Sequence, residues 1–279
     1  MALPLKDNVK PADTARTLRQ WSGWLGSLAG PSGGASIENR RNEYLNKVEQ
    51  VEDTLRNLFT DAAVWTRLRG ERHWMICSVS SSNPNLARLI TDEAEEQERY
   101  LGELADRLDR FASRVDAAPG DLVVLDTNVL LHYEPPWQVK WHDVLGSPTG
   151  VRLVLPLRVI EELDMAKYRE RDKIAQRARD LLSQLWKVLE ASKGGPTPLE
   201  GKPGITVEVF LDDEPRRRTL DADAEILEEC RTLRAVGRPV SLVTADTGLS
   251  IRASALGIPV VPMPDDYLRN KPTPTPTPD

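Results

Sequence analysis

The chain has 279 residues, 40% of them hydrophobic and 29% charged, with a net charge of −6. That length accommodates one large domain or two modest ones, each able to bury a core. The acidic balance excludes a global positive field that draws the protein to nucleic acid or anionic membrane, although basic residues can still cluster locally.

The first part, residues 1–118, reads as helical. A short helix holding Trp21 and Trp24 ends before the Gly-rich stretch Pro31–Ser36. Leu45, Val48, Val51, Leu55 and Leu58 then recur at three- and four-residue steps, as do Ile90, Ala94, Leu101, Leu104, Leu108, Phe111 and Val115, with a gap at Gln97. Two long amphipathic helices follow from that periodicity. A polar break at Ser80–Pro84 separates them, and an antiparallel all-α bundle is expected. Its heptad-like spacing would also support a homodimer through these helices.

Turn formers at Asp116–Gly120 mark a boundary. Beyond it, Leu122–Leu125 and Val151–Leu155 read as apolar strands buried on both faces. A helix broken near Arg169–Asp172 comes next, its second half carrying Ile174, Ala178, Leu181, Leu185 and Leu189 on one face. Lys193–Gly204 reads as a loop and Ile205–Leu211 as a strand. A helix at Asp223–Val236, a strand at Val240–Val243, a helix at Leu249–Leu256 and a strand at Ile258–Val261 complete the series. This alternation predicts an α/β domain over 121–268, a parallel sheet flanked by helices. The Pro-Thr repeat at the end, within 269–279, is expected to be disordered.

Four acidic patterns punctuate the α/β part: Val-Leu-Asp126-Thr-Asn128, Ile-Glu161-Glu162-Leu-Asp164, Asp221-Ala-Asp223-Ala-Glu-Ile-Leu and Leu-Val-Thr244-Ala-Asp246. In a parallel sheet, ligands bind beyond the carboxyl ends of the strands, where Asp126 and Asp246 are expected. Carboxylates gathered there repel one another, and a hard divalent cation such as Mg²⁺ or Mn²⁺ relieves the conflict while supplying Lewis acidity. Each acid also has a plainer reading. Asp126, Asp221, Asp223 and Asp246 suit helix N-caps or first turns, and Glu162 suits an exposed helix face. An aspartyl-phosphate phosphatase would need a second Asp where Asn128 stands.

Taken in order, these motifs resemble the PIN domain, a nuclease fold, over residues 121–264. The resemblance selects Glu162, directly before Leu163, over Glu161, and Asp223, three residues before Ile226. It implies a Mg²⁺- or Mn²⁺-dependent ribonuclease leaving a 5′-phosphate and a 3′-hydroxyl. Asp126, Glu162, Asp223 and Asp246 would be the catalytic metal ligands and Asp221 a peripheral one, with Asn128 and Thr244 orienting them by hydrogen bonds. Two other readings stay open: a catalytically silent nucleic-acid-binding or scaffold protein on this fold, and a toxin-type RNase held by an antitoxin. The added N-terminal helices argue against the toxin, since such members are little more than the bare domain.

Lys167, Arg171, Arg177 and Arg179 beside the second motif, and Arg216, Arg217 and Arg218 before the third, are candidate RNA phosphate contacts or simply solvated charge. Trp137 and Trp141, near His132 and His142, are either a stacking surface for single-stranded bases or core packing. Two cysteines, Cys77 and Cys230, make no disulfide framework or structural zinc site, and Cys230 lies on an apolar stripe. They fit a reducing compartment. With no signal-peptide pattern and no membrane-length apolar run, a cytoplasmic protein is expected.

Overall fold

The computed structural model describes residues 5–6, 9–30, 36–147, 150–168, 173–190, 192, 195–210 and 221–269. The Pro31–Ala35 stretch, the break at Arg169–Asp172 and the Pro-Thr tail from residue 270 lie outside them. The chain forms two compact units, Leu3–Val115 and Asp116 onward.

The first unit is all-α: α1 (Pro11–Gly26), α2 (Ile37–Leu58), α3 (Ala62–Thr66), α4 (Glu71–Ser78) and α5 (Leu86–Asp116). Proline opens α1, where its missing N–H costs nothing. Ser36 caps α2 by accepting from the Asn39 N–H at 3.2 Å. The apolar stripes of α2 and α5 are buried, from Val48, Val51 and Leu55 to Ile90, Leu101 and Leu108. Gln97 breaks the stripe of α5 because it is a buried donor. Its Nε2 lies 2.9 Å from the Leu68 carbonyl and 3.2 Å from the Tyr44 hydroxyl.

The antiparallel expectation holds only for α1. Ser22 of α1 meets Glu98, and Arg19 meets Asp106, so α1 runs against α5. By contrast Arg40 meets Thr91 and Tyr44 meets Gln97, so the two long helices run parallel. The intervening α3 and α4 carry the chain back along the bundle, which a short polar break could not do.

The second unit holds a six-stranded sheet in the order β3-β4-β2-β1-β5-β6. The strands are β1 (Asp121–Leu125), β2 (Val151–Pro156), β3 (Thr197–Pro198), β4 (Ile205–Phe210), β5 (Val240–Val243) and β6 (Val260–Val261). All pair in parallel except β3, which is antiparallel to β4. That edge strand falls inside the segment the sequence reads as a loop, because two residues carry no periodicity. The helices are α6 (Thr127–His132), α7 (Trp141–Leu145), α8 (Leu157–Ala166), α9 (Lys173–Leu189), α10 (Ala222–Arg234) and α11 (Thr247–Ala255).

Gly120 and Gly150 stand at the amino ends of β1 and β2 with φ of 108° and 97°. A Cβ on Gly120 would lie 2.9 Å from the Gly150 carbonyl carbon, so both the left-handed backbone and the close approach demand glycine.

Arg152 interrupts the apolar run of β2 yet is fully buried. Its guanidinium makes two parallel hydrogen bonds of 2.9 Å to the carboxylate of Glu208 on β4, also fully buried. Such a fork satisfies charges that burial alone would penalise heavily. Glu208→Ala should therefore cost about 3–5 kcal/mol, read as a lower urea midpoint. Arg152→Met with Glu208→Leu should recover most of it. A loss below about 1 kcal/mol in the single variant would mean that water reaches the arginine.

Candidate active site at the carboxyl edge of the sheet

β1 is flanked on both sides by parallel partners, Leu125 lying opposite Val243 of β5 and Val124 opposite Val154 of β2. The chain leaves β1 at Asp126, whose N–H still bonds the Val243 carbonyl at 3.1 Å. Asp126 is 4% exposed. It occupies the N-cap position of α6 without capping it. Its Oδ2 instead accepts from the Thr244 hydroxyl at 2.8 Å, and the Thr244 oxygen accepts from the Asp246 N–H at 2.9 Å. Thr244 thereby joins the loops after β1 and β5.

Glu162 comes from α8, which starts directly after β2. The hydroxyl of Thr127 donates to Glu162 Oε2 at 2.5 Å. Arg158, one turn earlier, lies 3.7 Å from Glu162 Oε1 and 3.8 Å from Glu161. Burial pushes the Asp126 carboxyl above the ordinary aspartate range, the Thr244 hydroxyl and the backbone N–H groups of Thr127 and Asn128 offset part of this, and the charge of Glu162 adds to it.

Asp246 caps α11, accepting from the Leu249 N–H at 2.9 Å, and Asp221 caps α10, accepting from Ala224 at 3.0 Å. Arg252 of α11 forks onto Asp221 with contacts of 2.9 and 3.2 Å and reaches Asp223 Oδ2 at 3.2 Å. Burial raises the Asp223 carboxyl, Arg252 opposes this, and Asp246 and Asp221 reinforce it. The hydrogen bonds from Arg252 hold Asp221 below its usual value.

The acids thus stand as two pairs, Asp126 with Glu162 and Asp223 with Asp246, tied together through Thr244. Among the described residues no three His, Cys, Asp or Glu side chains form a ready ligand cluster. The donor chemistry still suits a hard divalent cation: all oxygen, with a buried carboxylate whose ionised form lacks a neutralising partner among the described residues. Asn128 lies in the first turn of α6.

Of the described basic residues beside the second motif, Arg177 bonds another element, while Lys167 and Arg179 make exposed contacts three residues away. Lys167 bonds Asp164, Arg177 donates to the Leu131 carbonyl at 3.2 Å, and Arg179 meets Gln176 at 3.4 Å. Arg171 and Arg216–Arg218 lie outside the described residues. Trp141 is 1% exposed and its Nε1 donates to the Pro136 carbonyl at 2.7 Å, so it packs in the core and offers no stacking face. Cys230 is buried, as its stripe implied, and Cys77 is exposed. No described helix is long and apolar enough to cross a membrane. Thr127, Arg158 and Arg252 escaped the sequence reading. Thr127 stood between two noticed residues, and an arginine in a helix gives no sign of facing a distant acid.

The carboxyl edge of the sheet thus brings Asp126 beside Glu162, with Asp223 and Asp246 at the starts of α10 and α11. The family model of the PIN domain matches residues 123–263, half of the chain, and the chain belongs to the PIN domain family. Nuclease-type chemistry comes with that membership, usually with divalent metals. No curated protein matches. Among solved structures, a domain of a functionally unknown protein from Methanocaldococcus jannaschii DSM 2661 matches at 17% identity. The match covers 57% of this chain and 100% of that one, with a TM-score of 0.35.

A raised carboxyl destabilises the fold in its ionised form. The contribution of Asp126 to stability is therefore fully present below the ordinary aspartate pKa and is lost as pH rises through the raised one. Metal-free Asp126→Asn should melt above the wild type at neutral pH, with the gap closing in acid below the aspartate range. A gap that stays constant across that range would show that ionisation of Asp126 carries no cost.

Proposed function

We propose that the α/β unit is a divalent-metal-dependent ribonuclease that hydrolyses RNA phosphodiester bonds, acting as an endonuclease. The observation that carries this reading is Asp126: buried at the end of the central strand, in the field of Glu162, and held by the Thr244 hydroxyl. Asp126, Glu162, Asp223 and Asp246 would hold Mg²⁺ or Mn²⁺, Asp126 centrally. When bound, the ion supplies Lewis acidity that stabilises charge on the scissile phosphate. Thr244 fixes one oxygen of Asp126 and Thr127 one oxygen of Glu162, which orients both carboxylates toward the site. Lys167 and the Arg residues at 171, 177, 179 and 216–218 are proposed to meet the RNA backbone. A homodimer through the N-terminal helices is the oligomeric state proposed, in the cytoplasm, and it is favoured over pairing with an antitoxin-like protein.

Purified protein with Mn²⁺ should cleave end-labelled RNA internally, and chelation should stop it. Asp126→Asn should lower the rate at least about 100-fold, in line with the loss of a central ligand. Thr244→Val should lower it by about 10- to 100-fold through misorientation of Asp126. Equal cleavage by Asp126→Asn would assign the activity to a contaminant. Metal binding without turnover on any RNA or DNA would favour the silent scaffold.

A further inference from the structure

Arg252 stands where two acids meet. It projects from α11, the helix that Asp246 caps, and reaches across to the start of α10. One nitrogen touches both Asp221 Oδ1 and Asp223 Oδ2 at 3.2 Å, and the other touches Asp221 Oδ2 at 2.9 Å. Asp221 also caps α10, so its position is set independently of the arginine. Asp223, in contrast, makes its contact with the arginine through a single oxygen.

We infer that Arg252 is a built-in counter-ion that competes with the divalent cation for Asp223, with Asp221 as the anchor that keeps it beside the site. The inference rests on the metal-dependent reading above. A guanidinium and a metal ion neutralise the same charge, so Asp223 cannot give its full field to both. Asp221, drawn into the fork, is then a holder of the arginine rather than a peripheral metal ligand. A bidentate hold on Asp221 and a single contact on Asp223 suit this division: the anchor stays gripped while the shared acid can be released. The three side chains are 40–53% exposed, so the competition is modest and weakens with salt. It would set the cation concentration at which the site fills, and it would keep Asp223 and Asp246 from repelling each other before then. The opposite role for Arg252 is a brace that holds Asp223 in place for the metal. The two roles predict opposite signs when the arginine is removed.

The test is Mn²⁺ titration calorimetry on the full chain at low ionic strength, without RNA, on the wild type, Asp126→Asn, Arg252→Gln and Arg252→Lys. The competitor role predicts that Arg252→Gln binds Mn²⁺ about two- to fivefold more tightly, matching an exposed ion pair. Arg252→Lys, a point charge unable to fork across both acids, should fall between it and the wild type. Unchanged or weaker binding by Arg252→Gln overturns the inference, weaker binding in favour of the brace. Thermal melts check the fold, and if Arg252→Gln does not fold, the sign of the Arg252→Lys change decides. No Mn²⁺ binding by the wild type, or undiminished binding by Asp126→Asn, would instead sink the metal-dependent reading itself.

Discussion

The parallel pairing of β1 with both β2 and β5 is the constraint on which the site depends. Parallel strands all end at the same edge, so the segments that follow them begin side by side. Asp126 follows β1 without a gap, α8 with Glu162 follows β2, and Thr244 follows β5. Helices packed on the sheet, α10 among them, cover the faces of β1, and a carboxylate at its end is drawn out of water with it. The buried Arg152–Glu208 fork joins β2 to β4 within the same sheet.

The charges at the edge are handled in two ways. Asp126 receives a neutral donor, Thr244, and remains costly to ionise. Asp221 and Asp223 receive a full cation, Arg252, and Arg158 stands near Glu161 and Glu162. An acid kept without its own counter-ion is destabilising to the fold, and that kind of cost is typical of positions retained for chemistry rather than stability. Asp246 and Asp221 do double duty as helix caps, so the helix-cap reading of those residues and their place at the acidic edge are both correct descriptions.

Much of the fold was legible because its elements are long or strongly patterned. The runs Leu122–Leu125 and Val240–Val243 are apolar on both faces, and α5 and α9 keep a helical stripe over many turns. What escaped was short or determined by a distant partner. The helix α6 follows Asp126 at once and has too few residues for periodicity, and β3 has only two. Arg152 looks like a flaw in a strand until Glu208 is seen across the sheet. Trp141 carries no mark of whether its ring faces solvent or core. The short polar break at Ser80–Pro84 suggested a reversal, yet α3 and α4 return the chain and bring the two long helices parallel.

The sequence by itself determined the class of the protein, because helical and strand periods and the order of acidic motifs are local properties that survive without coordinates. It also placed Asp126 at the end of a strand and Asp221, Asp223 and Asp246 at the starts of helices, with Glu162 on a helix. Only the tertiary structure decided which groups those acids meet. Thr244 on Asp126, Thr127 on Glu162 and Arg252 on Asp221 and Asp223 join residues 29 to 118 positions apart in the chain. Contacts of that kind depend on how strands are ordered in the sheet and on how helices lie over it. No local pattern records either, since burial and charge are shared between segments that the chain brings together only on folding.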